Sequence, residues 1–173
     1  MSLILGPTAE KSNRAVSSQV TSSTWSLCFR ARRWTDSGGD WRPFERLPDD
    51  ADVIVDALLG TGLGRDVTGR YAAAIAAANA HPAPCLAIDI PSGLNADSGV
   101  VMGCAIRAAA TVTVIALKQG LFTADGPDCT GDIVFDGLEV PAAVFASCLL
   151  SARRLDWAKQ SALLPVRARN SSK

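Results

Sequence analysis

The sequence predicts an α/β protein built on a parallel β-sheet, and three observations carry that expectation. Two short β-branched, apolar runs, Val53-Ile54-Val55 and Leu86-Ala87-Ile88, each end in an aspartate, Asp56 and Asp89. Each aspartate is followed within a few residues by a glycine-rich turn, and one helix-length segment, Arg70 to Ala80, lies between the two runs. A buried run, a loop, a helix and a second buried run make the βαβ pattern of a parallel sheet. Ligands of open α/β sheets sit outside the carboxyl ends of the strands. Both aspartates and both glycine loops fall at that edge.

The bulk composition narrows the function classes. A chain of 173 residues is of one-domain size, and 48% hydrophobic with 20% charged residues is a globular composition. Seventeen basic and 17 acidic residues give a formal net charge of +0. That balance argues against a nucleic-acid partner or an anionic membrane surface, both of which need a basic excess. No apolar run approaches the roughly 18 residues of a membrane span. The five cysteines, Cys28, Cys85, Cys104, Cys129 and Cys148, are scattered without a C-x-x-C pair. They read as reduced thiols of a cytoplasmic protein. A lone histidine, His81, standing before Pro82 at a helix end, makes a His-based metal site or a Ser-His-Asp triad a poor fit.

Residues 1–30 form a poorly defined segment, rich in serine and threonine, with no sustained apolar period. Its basic, acid-poor character has something of a transit peptide but lacks an amphipathic arginine stripe. From Ala31 the chain reads as the end of a helix, a Gly38-Gly39 stop, a short strand over Trp41 to Phe44, and a loop. Trp34 and Trp41 read as packing residues. The strand Asp52 to Ala57 leads into Gly60-Thr61-Gly62-Leu63-Gly64-Arg65-Asp66. Alternating glycines allow positive φ and let the backbone approach a ligand closely. The loop is neither a Walker loop nor G-x-G-x-x-G, because no Gly-Lys-Ser/Thr follows and Gly62 and Gly64 are followed by Val67.

Thr68 or Gly69 is the expected cap of the alanine-rich helix Arg70 to Ala80, with Tyr71 and Ile75 on its buried face. Pro82 and Pro84 end it. After the second strand, Pro91-Ser92-Gly93 is a tight turn expected to direct Asp89 and the Ser92 hydroxyl and carbonyl to the same edge. Asp97-Ser98-Gly99 is a second turn. A carboxylate at a strand end among small residues suits proton transfer. Further strands are expected over Ala110 to Leu117, ending at Lys118, and over Gly131 to Phe135. A closing helix is expected over Ala142 to Leu150, and residues 151–173 read as a solvated linker or tail.

The pair DALLGTGLGRDVTG and DIPSGLNADSG, continued by Ala105-Ile106-Arg107-Ala108, Thr111-Val112-Thr113 and Lys118-Gln119-Gly120-Leu121, resembles the NAD(P)H-hydrate epimerase domain. The likeness covers roughly Ala31 to Ala146, so residues 31–150 are taken as the epimerase-like domain. LLPVRARNSSK resembles the entry to the ADP-dependent NAD(P)H-hydrate dehydratase domain of the bifunctional enzymes, as if a following domain had been lost.

The resemblance implies a Rossmann-like three-layer sandwich with a mainly parallel sheet. It implies interconversion of the R and S hydrates of NADH and NADPH, functional coupling to the dehydratase, and a homodimer as one assembly. By the same resemblance Gly60 to Asp66 contacts the substrate. Asp89 lies at the hydrated nicotinamide as the acid/base, and Asp56 and Ser92 bind a potassium ion.

The family's N-terminal Asn-Gly-Gly-Asp-Gly loop has no counterpart in this sequence. Ser37-Gly38-Gly39-Asp40 aligns better with a later helix-to-strand turn, and the family's first strand and helix are missing or scrambled. The competing readings are a nucleotide-binding or scaffold domain of the same fold without turnover, and an ordinary dinucleotide dehydrogenase. The missing G-x-G-x-x-G counts against the latter.

Overall fold

The computed structural model describes residues 2–6, 14–17, 36, 40–42, 44–146, 148 and 151–163. The chain divides into two compact units, Met1–Val140 and Pro141–Lys173. In the first, seven strands form one sheet: β1 (Ser2–Gly6), β2 (Arg14–Ser17), β3 (Asp40–Arg42), β4 (Val53–Ala57), β5 (Cys85–Ile88), β6 (Ala110–Val114) and β7 (Asp132–Asp136). Their order is β3-β2-β1-β4-β5-β6-β7. Strands β4 to β7 are parallel throughout, paired through Ile54↔Cys85, Asp56↔Ala87↔Thr111 and Thr111↔Ile133. The strand beside β4 on the other side, β1, runs antiparallel to it. The parallel order therefore stops at β4, and no parallel strand of the N-terminal segment stands next to it. The unit is a Rossmann-like α/β sandwich on a mainly parallel sheet.

The register decides what is buried. In β4 the buried residues are Ile54 and Asp56, in β5 Cys85 and Ala87, and in β6 Thr111 and Thr113. The pairing places these six on one face of the sheet. Helix α1 (Gly69–Ala80) buries Ala74, Ile75 and Ala78 in a core cluster with Ile54, Leu58, Val67, Cys85 and Ile106. Small alanines let the helix axis lie close to the sheet. Tyr71, expected on this buried face, is only half-buried. Thr68 stands at the N-cap but makes no side-chain cap bond. At the far end His81 is the C-cap, its N–H on the Ala78 carbonyl, and Asn79 ties the helix to the loop before β6. Its Nδ2 donates to the Ala105 carbonyl and its Oδ1 accepts from Arg107 N–H, both at 2.9 Å. His81 follows, its ring bonded to the Pro48 carbonyl and to the Ala83 N–H at 3.0 Å each.

A second cluster, Ile90, Leu94, Ala96, Ala105, Leu121 and Cys129, packs the loops beyond β5 against a 3-10 turn (Gln119–Leu121) and the short helix α2 (Gly126–Thr130). Thr111 Oγ1 donates to the Thr130 carbonyl at 2.7 Å, which joins that helix to β6. Strand β6 stops at Val114, three residues short of the expected Leu117. Ile115 takes φ 66, a left-handed conformation that breaks the strand. The edge strand β7 is shifted one residue from the expected Gly131 to Phe135, and Val134 and Phe135 are exposed.

In the second unit, helix α3 covers Ala142–Phe145; of the expected helix Ala142 to Leu150, residues 147, 149 and 150 lie outside the described residues. Helix α4 (Trp157–Ser161) is capped by Asp156, whose side chain accepts from Ala158 N–H and Lys159 N–H. Neither helix buries a residue, so neither is held by a core.

The expected strand over Trp41 to Phe44 is observed as Asp40–Arg42. Trp34, Cys28 and the side chain of Trp41 lie outside the described residues. The other four cysteines are unbridged. Among the described residues no helix is long and apolar enough to cross a membrane.

Candidate active site

The candidate site residues lie at the carboxyl edge of β4 and β5, Asp56 near the end of β4 itself and the others in the loops that follow the two strands. These loops are tied together by side chains rather than by a continuous ladder.

Asp56 is fully buried and has Ser92 as its main partner. Ser92 Oγ donates to Asp56 Oδ1 at 2.5 Å, Ser92 N–H donates to Oδ2 at 2.7 Å, and Leu58 N–H reaches Oδ1 at 3.2 Å. The same hydroxyl accepts from Leu59 N–H at 2.8 Å, with the Leu59 carbonyl oxygen at 3.3 Å. One carboxylate thus fastens the loop after β5 to the loop after β4. Burial pushes the Asp56 carboxyl above its ordinary value, because these three hydrogen bonds offset only part of the lost hydration. No cationic side chain among the described residues pairs with it. The neighbouring Cys85 thiol is pushed up to about 12 by burial and then by the Asp56 charge, so it stays protonated and is no nucleophile.

Asp89 follows β5 directly and stands at φ 72, a region asparagine and aspartate tolerate better than most residues. Its backbone N–H donates to the Val112 carbonyl at 2.7 Å. Its Oδ1 accepts from Val114 N–H at 3.2 Å and from Lys118 Nζ, with which it forms an ion pair. The Pro91 turn is closed by Leu94 N–H on the Pro91 carbonyl at 3.0 Å, with Gly93 at φ 96. It delivers the Ser92 hydroxyl to Asp56. The Ser92 carbonyl corrects the expectation, because it accepts from Ile106 N–H at 2.9 Å and serves the loop before β6.

The loop Gly60 to Asp66 is held at both ends and open between them. Leu59 is anchored by Ser92, Leu63 by Asn95 Nδ2 on its carbonyl at 3.1 Å, and Val67 by the Met102 carbonyl at 2.9 Å. Gly60, Thr61, Gly62, Gly64, Arg65 and Asp66 are exposed, and Leu63 is half-buried. None of the three glycines uses the positive φ that glycine allows. Their common property is space: a Cβ at any of them would meet nothing within 4 Å.

The structure brings Asp56 and Ser92, the two positions that the resemblance assigns to potassium, into direct contact. It also adds partners that local pattern does not show. Lys118, a charged group beyond the end of β6, pairs with Asp89. Asn95 holds two loops at once, its Oδ1 accepting from Asp97 N–H, Ser98 N–H and Ser98 Oγ while Nδ2 reaches Leu63. Its position in a turn signalled the first role and nothing in the sequence signalled the second.

The family described as YjeF-related protein N-terminus matches residues 9–120, beginning well before Ala31 and taking in both glycine loops, Asp56, Asp89, Ser92 and Lys118. A bifunctional NAD(P)H-hydrate repair enzyme Nnr from Coxiella burnetii is 44% identical over 132 residues, covering 76% of this chain and 27% of that protein. The protein of the same name from Escherichia coli is 46% identical over 106 residues, covering 61% and 21%. An NAD(P)H-hydrate epimerase from Limosilactobacillus fermentum is 47% identical over 88 residues, covering 51% and 42%. The chain spans about a quarter of the length of the bifunctional relatives it matches. With the match covering most of the chain and every residue of the carboxyl-edge cluster inside it, the chain belongs to the YjeF-related protein N-terminus family.

Proposed function

We propose that the chain interconverts the R and S hydrates of NADH and NADPH, with Asp89 as the acid/base at the hydrated nicotinamide. The observation that carries this reading is the state of Asp89. One carboxylate oxygen is held by Lys118 and Val114 N–H, and the other has no hydrogen-bond partner among the described residues. A carboxylate fixed by one oxygen presents the other for proton transfer. Gly60 to Asp66, open on its exposed side, contacts the nucleotide. The relatives' printed names support the substrate class, and those that are bifunctional support coupling to an ADP-dependent dehydratase.

Potassium fits the donors at Asp56. The carboxylate, the Ser92 hydroxyl and the Leu59 carbonyl are hard oxygens close together, and the buried carboxylate lacks a cationic side chain. Among the described residues no cluster of three or more His, Cys, Asp or Glu gathers. Bound there, potassium supplies positive charge that offsets Asp56 and the substrate phosphates. The expected result is a higher thermal midpoint in potassium chloride than in tetramethylammonium chloride of equal ionic strength. The gain is about 1.4 kcal/mol at tenfold excess over Kd. The difference disappears in Asp56→Asn. Equal midpoints in the two salts for the wild-type chain would remove potassium from the site.

The reading is tested by incubating purified R-NADHX with the chain in potassium buffer and following the S form by chromatography. Conversion well above the spontaneous rate is expected. A folded chain without turnover would instead support the reading of a nucleotide-binding domain, which the missing Asn-Gly-Gly-Asp-Gly loop favours.

A further inference from the structure

We infer that Lys118 is the positioning residue for Asp89, selecting which carboxylate oxygen exchanges the proton. The inference rests on the reading of Asp89 as acid/base. Its evidence begins with the backbone. Asp89 at φ 72 and Ile115 at φ 66 are left-handed non-glycine residues at the carboxyl ends of adjacent strands. For a β-branched residue that conformation is an outlier held by its surroundings, and such strain gathers at functional sites. Continued as strand, the chain would carry residue 118 roughly 13 Å beyond Val114. Instead it turns back at Ile115, with Ile115 N–H on the Asp136 carbonyl at 2.8 Å and Ala116 N–H on the Val114 carbonyl at 2.7 Å. The Lys118 ammonium thereby returns to the end of its own strand.

An ammonium has three donors, and Lys118 has three acceptors in place. These are Asp89 Oδ1, the Val114 carbonyl at 2.8 Å and Thr113 Oγ1 at 3.4 Å. Thr113 is itself fully buried, which fixes the third acceptor. The Lys118 side chain is only 15% exposed, whereas Lys159, in a surface pair with Asp156, is 81% exposed. A lysine so committed has no donor left for a substrate phosphate. Its action is through Asp89: Oδ1 is occupied twice, by Lys118 and by Val114 N–H, and Oδ2 is the oxygen that meets the substrate.

Lys118→Met, which keeps the length and removes the donors, is expected to lower kcat about 100-fold, the scale of a misplaced reacting group. KM stays within about threefold, and Lys118→Arg recovers part of the loss by keeping the charge. Amide hydrogen exchange at Val114, read by NMR, is expected to accelerate at least tenfold in Lys118→Met while Val112 is unchanged. A Lys118→Met enzyme with wild-type kcat, or with KM raised and kcat unchanged, overturns the inference. If Lys118→Met does not fold, Lys118→Arg decides: kcat lowered at constant KM supports positioning, and a raised KM alone overturns it. If the wild-type chain itself does not turn over R-NADHX, the functional reading fails. The exchange of Val114 then decides separately whether Lys118 holds the carboxylate, and unchanged protection counts against it.

Discussion

Replacing Asp89 with asparagine is expected to lower kcat for hydrate epimerisation by about a thousandfold, within the range contributed by a positioned general acid or base. The substitution isolates the chemistry because asparagine fits everything else about the position. It is among the few residues that accept φ near 72. Its side-chain oxygen still accepts from Val114 N–H and Lys118. What it loses is the ability to take and return a proton. Binding of the hydrate, measured by equilibrium titration, should therefore remain within a few fold of wild type. Loss of both turnover and binding would mean that Asp89 holds the nucleotide rather than reacting with it. Unchanged turnover would move the acid/base elsewhere.

The second large effect is on folding. Gly93→Ala is expected to cost about 3–5 kcal/mol, the sum of left-handed strain and overpacking. Gly93 stands at φ 96, and a Cβ there would overlap the Cys104 carbonyl oxygen and crowd Ala105 Cα. Both obstacles are backbone, so neither swings away. The turn would have to open, and with it the Ser92 contacts that fasten the loop after β5 to Asp56. Gly62→Ala is the contrast, because it meets nothing within 4 Å and its φ is not positive. Its stability should match wild type or exceed it by up to about 1 kcal/mol, through a less flexible unfolded chain. KM should rise as the methyl occupies ligand space. Urea midpoints followed by circular dichroism, with KM for the hydrate, separate the two. Equal destabilisation by both would show that the loop Gly60 to Asp66 packs against protein rather than standing open.

The legible parts of this chain were those written in local pattern. Val53-Ile54-Val55 and Ala110 to Val114 are β-branched runs, and they form β4 and β6. Alanines between Gly69 and Ala80 make a helix wherever one face can be buried, and its observed bounds differ by one residue from those expected. ATVTVIAL reads as strand to its end, yet the chain turns at Ile115, where Ala116 N–H bonds the Val114 carbonyl and Lys118 pairs with Asp89. Ala142 to Leu150 has helical composition, but among its described residues the helix stops at Phe145, and it buries no residue.

By itself the sequence determined on which edge of the sheet the candidate residues fall. Strand period and turn residues are local properties, and Asp56, Asp89, Ser92 and the glycine loop follow from them. Tertiary structure alone decided how those residues are wired. It paired Ser92 with Asp56 across 36 positions, turned Lys118 back onto Asp89 across 29, and set Asn95 against Leu63 across 32. A hydrogen bond depends on distances of tenths of an ångström and on direction. Contacts between residues so far apart in the chain are fixed only when strands, helices and turns pack together.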